Sequence, residues 1–240
     1  RPCIFEYIYF ARPDSIINNK CAYEYRKNLG KELAKETDVD SDIIVPVPDS
    51  GVSAAIGYSQ HTNKNFELGL IRNHYVGRTF IEPAQNIRSL GVKLKLSPTK
   101  TVLKNKKVIL IDDSLVRGTT CHKIVKMLYD AGAKEVHVRI SCPEIIFPDF
   151  YGIDMPTKEE LLAYNKSNKE MCNYIKAKSL KFLSLEGTYK ALLGSSEKRN
   201  PSYPQFSDHY FTGDYPIKPS DVLGEGKITQ LSLLSGKSNN

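Results

Sequence analysis

The hydrophobic positions of this chain fall into short runs whose period keeps changing. Val108–Ile111 is an unbroken apolar run (Val-Ile-Leu-Ile), and Ile43–Val45 is a second one that ends in Pro-Val-Pro-Asp-Ser-Gly. Runs of this length, bounded by turn residues, read as strands covered on both faces. Lys107–Ile111 is predicted as a strand on that basis, and Val136–Ile140 and Leu180–Leu185 are read as further strands. Ile4–Phe10, rich in β-branched and aromatic residues, and Phe66–Ile71 are predicted as two more. Between them the pattern becomes helical. Lys20–Glu36 is dense in Ala, Lys, Glu and Tyr, Val52–Ser59 is small and helix-compatible, and Thr120–Ala131 sets Ile124, Val125, Met127 and Leu128 on one side. Thr157-Lys-Glu-Glu160 reads as a capping box opening a helix over Glu159–Tyr164, and Glu186–Leu193 as a last helix.

Strands alternating with helices predict an α/β fold: a mostly parallel, twisted sheet flanked by helices. Ligands of such sheets bind beyond the carboxyl ends of the strands. The loops after Val45 and after Ile111 are therefore expected on one rim. Asn73–Leu96 has no clean periodicity, and a stretch that long reads as a lid, a binding loop or a disordered segment. Ser, Asn, Pro and Gly become frequent after Gly194, so residues 1–193 are predicted as the domain and 194–240 as an irregular, loosely attached C-terminal tail.

Composition narrows the class. Of the 240 residues, 40% are hydrophobic and 25% charged, ordinary for a globular chain. No apolar run approaches the roughly 20 residues needed to span a bilayer, and the start lacks a secretory leader pattern, so no membrane partner is expected. The five cysteines are scattered without a Cys-x-x-Cys pair. Reduced thiols and a cytoplasmic location are the expectation. The formal charge is +7, but the basic residues are spread out. That argues against nucleic acid and suits a small phosphate-rich substrate. The chain begins with Arg1 almost flush against an expected strand, so it is read as the C-terminal part of something longer.

The candidate chemistry follows Ile111. Two adjacent carboxylates, Asp112 and Asp113, repel each other at the end of a buried strand, and a bound cation or a polyhydroxylated ligand would relieve that. Ser114-Leu-Val-Arg117-Gly118-Thr119-Thr120 then leads into a helix. Gly118 permits an unusual backbone angle, and the amides and hydroxyls of Thr119 and Thr120 suit a phosphate monoester at the helix N-terminus. In the other loop, Asp49, Ser50 and Gly51 form a turn whose hydroxyl and amides would face the acidic pair, an arrangement suited to a Mg²⁺-diphosphate. Leu223–Ile228 (LGEGKI) is no phosphate loop, because Asp221 and Ile228 stand where glycine and Ser/Thr are required. His61, His137 and His209 have no partners at metal-ligand spacing.

Val108–Thr120 resembles the phosphoribosylpyrophosphate (PRPP) motif of type I phosphoribosyltransferases. The span Cys3–Leu193 resembles, more narrowly, the transferase domain of the amidophosphoribosyltransferases. The matching blocks are FEYIYFARPDS (5–15), PVPDSG (46–51), RNHYVGRTFI (72–81), VKLKL (92–96), AGAKEVHVRI (131–140), YGIDMP (151–156) and LSLEG (183–187). The resemblance implies the type I phosphoribosyltransferase fold and a glycosyltransferase that makes 5-phosphoribosylamine and pyrophosphate from PRPP and ammonia, in purine biosynthesis. It implies Mg²⁺ at Ser50, Asp112 and Asp113. PRPP would be held by Asp49, Ser50, Gly51, Arg72, Asp112, Asp113, Ser114, Arg117, Gly118, Thr119 and Thr120. Asp112 and Asp113 would act in catalysis with Tyr75, Arg78 and Thr79 of a loop that closes over PRPP. In that loop His74 stands where the family usually has Arg, which weakens the charge there. The implied partners are a glutaminase domain preceding residues 1–15, which would supply ammonia from glutamine, and further copies of the chain in a homo-oligomer. Some members carry a [4Fe–4S] cluster on four cysteines. Here only Cys3 remains, with Asp149, Ser207 and Tyr210 at the other three positions, so no cluster is expected. The competing readings are a PRPP-binding regulator without catalysis, a base-using phosphoribosyltransferase, and a receiver-type phosphoacceptor in which Arg-Gly-Thr-Thr would have no role.

Overall fold

Val108, Ile109, Leu110 and Ile111 are all fully buried, as an apolar run covered on both faces should be. They form the centre of a five-stranded sheet in the computed structural model, which describes residues 1–73, 96–153 and 157–217. The strands are β1 (Ile43–Pro46), β2 (Asn65–Phe66), β3 (Lys107–Asp112), β4 (Glu135–Ile140) and β5 (Ser179–Phe182). Their spatial order is β2-β1-β3-β4-β5, and every neighbouring pair is parallel. The helices are α1 (Ala22–Thr37), α2 (Val52–Thr62), α3 (Thr119–Asp130), α4 (Asn168–Ile175) and α5 (Leu185–Leu193). The chain steps one way from β1 to β2 and the other way from β3 through β4 to β5. Right-handed crossovers therefore put α2 on one face and α3 and α4 on the other. In agreement, α1 packs against α2 and α5, while α3 packs against α4. The expected parallel α/β architecture holds, and the order reverses between β1 and β3, which is where such sheets take ligands.

Several expectations give way. Ile4–Phe10 is helical, closing in a π-helical turn over Glu6–Phe10. Ile4, Phe5, Tyr7 and Ile8 are buried and Glu6, Tyr9 and Phe10 are not, which is a helical stripe rather than an alternation. The arriving strand expected within residues 1–15 is therefore absent from these described residues. Phe66–Ile71 divides at Gly69 into β2 and Leu70–Arg72, which pairs antiparallel with Leu96–Pro98. Thr157 makes no side-chain cap, and the expected helix Glu159–Tyr164 is a 3₁₀ turn (Lys158–Glu160) followed by Leu162–Asn165. The capping box lies instead at Ser167, whose amide donates to Glu170 Oε2 at 2.8 Å, and it opens α4. Helix α5 starts at Leu185, behind the cap Ser184, so β5 is shorter than expected.

The described part of the tail is not loosely attached. Phe206, Tyr210 and Phe211 are buried, and the Tyr210 ring meets Phe5 edge-on at 4.8 Å. Asp208, fully buried, accepts from Tyr189 Oη at 2.8 Å and from Arg199 Nε at 2.6 Å, so its charge is paired. The polar average of the segment concealed three aromatic anchors.

Two imidazoles sit inside this frame. Burial pushes His137 below the usual imidazole range, with Arg139 adding and Glu135 opposing. Burial does the same to His209, against the pull of Asp149. Both native imidazoles therefore stay neutral while unfolded ones take up protons below about pH 6.5. The unfolded state then binds more protons, so this contribution is intact above that value and is lost as pH falls through it. Burial raises Asp112 and Asp113, which pulls the other way at low pH. The imidazole share is thus read as a difference: His209→Gln should melt lower than the parent at about pH 7.5, yet lose less between there and about pH 5.5. Parallel pH profiles for the two proteins would contradict this.

Candidate functional site

The loop after β1 and the loop after β3 meet because the strands that carry them are neighbours. Val47 N donates to Ile111 O at 2.8 Å, extending the ladder past Pro46, and Gly51 N turns back to Val47 O at 2.9 Å. The Pro48–Asp49 peptide is cis. A Cβ on Gly51 would lie 2.2 Å from Ile111 O, so only glycine lets α2 begin this close to β3. The turn directs Ser50 Oγ to Asp112 Oδ1 at 3.1 Å, while Arg72 pairs with Asp49 across the rim.

Asp112 Oδ1 also accepts from Asp113 N at 2.9 Å, and Asp113 accepts from the Ser114 hydroxyl. Burial raises both carboxyls above the usual range. The Asp113 charge adds to the effect at Asp112, while hydroxyls and the Arg26 charge oppose it at Asp113. The pair is short of counter-charge, which a cation or converging hydroxyl groups would supply.

Gly118 caps α3 at φ +75, and a Cβ there would fall 2.6 Å from the Leu162 side chain. The position excludes other residues twice over, by backbone angle and by space. No side chain caps α3, so its first-turn amides stay available beside the exposed Thr119 and Thr120. Arg117 pairs with Glu160 through Nε at 2.7 Å, an exposed contact that an anion could displace.

Asp49, Ser50, Arg72, Asp112, Asp113, Ser114 and Arg117–Thr120 all line one cavity of about 1120 Å³. Gly51 stands behind it as the hinge of the turn. Tyr75, Arg78, Thr79 and His74, and also Leu223–Ile228, lie outside the described residues. The sequence reading missed one side of the cavity: Ile8–Pro13 and Arg26 line it as well. The available signal was an arginine inside the apolar stripe of α1, where Ala22, Tyr25, Leu29 and Leu33 are buried.

The four positions compared with a cysteine cluster do converge, around another network. Cys3 pairs with Ser207 as an isolated β-bridge, and its Sγ lies 3.3 Å from Tyr210 Oη. His209 Nε2 donates to Asp149 Oδ1 at 2.8 Å, and its Nδ1 meets Ser207 Oγ at 3.2 Å. Among the described residues, no group of three or more His, Cys, Asp or Glu side chains could hold a metal, and no helix is long and apolar enough to cross a membrane.

No family model matches the chain. It is 56% identical over 236 residues to an amidophosphoribosyltransferase of Rhizobium etli, covering 98% of this chain and 47% of the relative. Against the enzyme of that name from Methanocaldococcus jannaschii the identity is 57% over 190 residues, 79% of this chain and 40% of the relative. Among solved structures, the glutamine PRPP amidotransferase of Bacillus subtilis, complexed with ADP and GMP, superposes with a TM-score of 0.79 at 51% identity. That match covers 89% of this chain and 46% of the other. The chain thus spans about half the length of the curated relatives it matches.

Proposed function

The chain belongs to the amidophosphoribosyltransferase family, and from that membership we propose that it carries the phosphoribosyl-transfer half of the reaction, making 5-phosphoribosylamine and pyrophosphate from PRPP and ammonia. The observation behind this reading is that one cavity at the sheet's switch point joins the acidic pair, an uncapped helix N-terminus at Gly118–Thr120, and the Asp49–Arg72 rim.

In this reading ammonia attacks the ribose C1 as pyrophosphate leaves, and the protein contributes position and fixed charge rather than a nucleophile. The α3 amides and the Thr119 and Thr120 hydroxyls bind the 5-phosphate, with Arg117 exchanging Glu160 for it. Asp112 and Asp113 hold the ribose hydroxyls. Ser50, its neighbouring amides and Arg72 receive the diphosphate. The donor set also fits Mg²⁺, a hard cation that takes carboxylate and hydroxyl oxygens and shares its shell with phosphate. Ser50, Asp112 and Asp113 would hold it, and when bound it neutralises the leaving diphosphate. Tyr75, Arg78 and Thr79, outside the described residues, complete the proposal as contacts of PRPP. We place the protein in purine biosynthesis in the cytoplasm, as a homo-oligomer, with a glutaminase domain supplying ammonia, and with the transferase unit extending past residue 193 to include the docked stretch 194–217.

The test is to incubate the protein with PRPP and Mg²⁺ and to offer ammonium salts, purine bases and pyrimidine bases in turn. Pyrophosphate is expected with ammonia alone. Release with a base would assign a base-using transferase, and PRPP binding without release would assign a regulator.

The network around Cys3 supports a second expectation. One cysteine, already engaged by Tyr210, cannot hold a cubane cluster that needs four thiolate ligands. Protein purified without oxygen should be colourless and free of stoichiometric iron and sulfide. Finding both in cluster ratio would overturn this.

A further inference from the structure

Arg26 is a buried cation without a carboxylate partner. It sits on the apolar face of α1 at 7% exposure, where an aliphatic residue would be expected. Its Nε donates to Tyr7 O at 3.1 Å, and its Nη2 donates to Ala11 O at 2.7 Å and Glu6 O at 3.4 Å. Among the described residues it makes no ion pair. Burying a guanidinium on carbonyls alone is expensive, so the position should return something for that cost.

Two placements indicate what. All three carbonyls belong to the π-helical turn and its exit, and the overlapping stretch Ile8–Pro13 forms a wall of the cavity that Asp112 and Asp113 line. A planar fork can gather carbonyls from one turn, whereas an ammonium is a point charge on a flexible stem. Arg26 also lines the cavity that Asp113 lines, where its charge acts on Asp113 and on Glu6. In a space partly closed to water that interaction is stronger than at a surface.

We propose that Arg26 is a positioning residue for phosphoribosyl transfer: its guanidinium fixes the Ile8–Pro13 wall and supplies positive charge to the cavity that Asp113 lines, so that the acidic pair meets PRPP in one geometry. The proposal rests on the PRPP reading above and extends it to a residue outside the PRPP motif.

The experiment measures pyrophosphate release from PRPP and ammonium, together with thermal melting, for the parent, Arg26→Lys, Arg26→Met and Arg26→Ala. Arg26→Lys keeps the charge and loses the fork. It should melt close to the parent and raise the KM for PRPP about tenfold, with a smaller change in kcat. Arg26→Met should lower kcat/KM by about 100-fold or more. Added guanidinium should restore part of the Arg26→Ala activity without altering the parent, a response that a purely structural role would not give. If Arg26→Met fails to fold, the lysine variant and the guanidinium rescue decide. Folded variants with parental kinetics, or losses that follow melting alone with no rescue, would overturn the proposal while leaving the transferase reading in place. A parent that releases no pyrophosphate would remove that reading, and this proposal with it.

Discussion

Replacing Asp113 by asparagine is expected to lower pyrophosphate release by at least about 100-fold, the scale of losing one preorganised electrostatic contact in a site shielded from water. The substitution keeps the shape and the bond from Ser114, so the turn after β3 should survive. What disappears is one negative charge beside Asp112, in the place proposed for the ribose hydroxyls and the cation. Stability should hold or improve slightly. Asp113 is buried beside a half-buried Asp112 that is raised by desolvation and then by the Asp113 charge, and the variant removes that repulsion. Initial rates at saturating PRPP and Mg²⁺, taken with a melting curve, separate the two effects. Near-parental turnover in a folded Asp113→Asn protein would remove this residue from the chemistry.

That site was legible in the sequence because its parts are local. An apolar run ending in two acids, then a glycine and two threonines at a helix start, determines strand, turn and helix within 13 residues, Val108 to Thr120. The parallel sheet was legible for a similar reason, since strands covered on both faces read as continuous apolar runs. What escaped was long-range. Nothing near Tyr7 announces that its carbonyl will meet Arg26, 19 residues on. Aromatic residues at Ile4–Phe10 imitate a strand, yet the Glu6 and Tyr7 carbonyls are taken up by a guanidinium and by the segment's own turn rather than by a neighbouring strand. The tail failed in the opposite direction: Phe206, Tyr210 and Phe211 outweigh a polar composition because each finds an apolar partner far away in sequence. Thr157 and Ser167 show the limit of short motifs. Both begin a Ser/Thr-x-x-Glu pattern, and only Ser167 caps a helix.

The nitrogen source gives the sharpest contrast. These 240 residues should release pyrophosphate from PRPP with ammonium salts at raised pH, where free ammonia exists, and should not do so with glutamine. Hydrolysing glutamine by covalent catalysis requires an activated nucleophile, a thiolate held beside a base or the free amine of a terminal residue. The thiols of this chain are poorly placed for that. Burial pushes the thiols of Cys121, Cys142 and Cys172 up, away from thiolate. The Cys21 thiol is engaged by Glu24 Oε2 at 3.5 Å, at the cap of α1. Cys3 is bonded to Tyr210, and its α-amino group is tied into a peptide with Pro2, so it has no free amine to serve as base. The chain also spans about half the length of its curated relatives, 47% in the Rhizobium etli enzyme, which leaves a separate glutaminase domain as the proposed source of ammonia. The ammonia-dependent rate should be modest, because attack then relies on ammonia diffusing from bulk water rather than on delivery at high local concentration. The deciding measurement is pyrophosphate release with glutamine as the sole nitrogen source and glutamate followed in parallel. Turnover that yields glutamate and pyrophosphate in equal amounts would mean that one of these thiols is a competent nucleophile after all, and that the proposed division of labour is wrong.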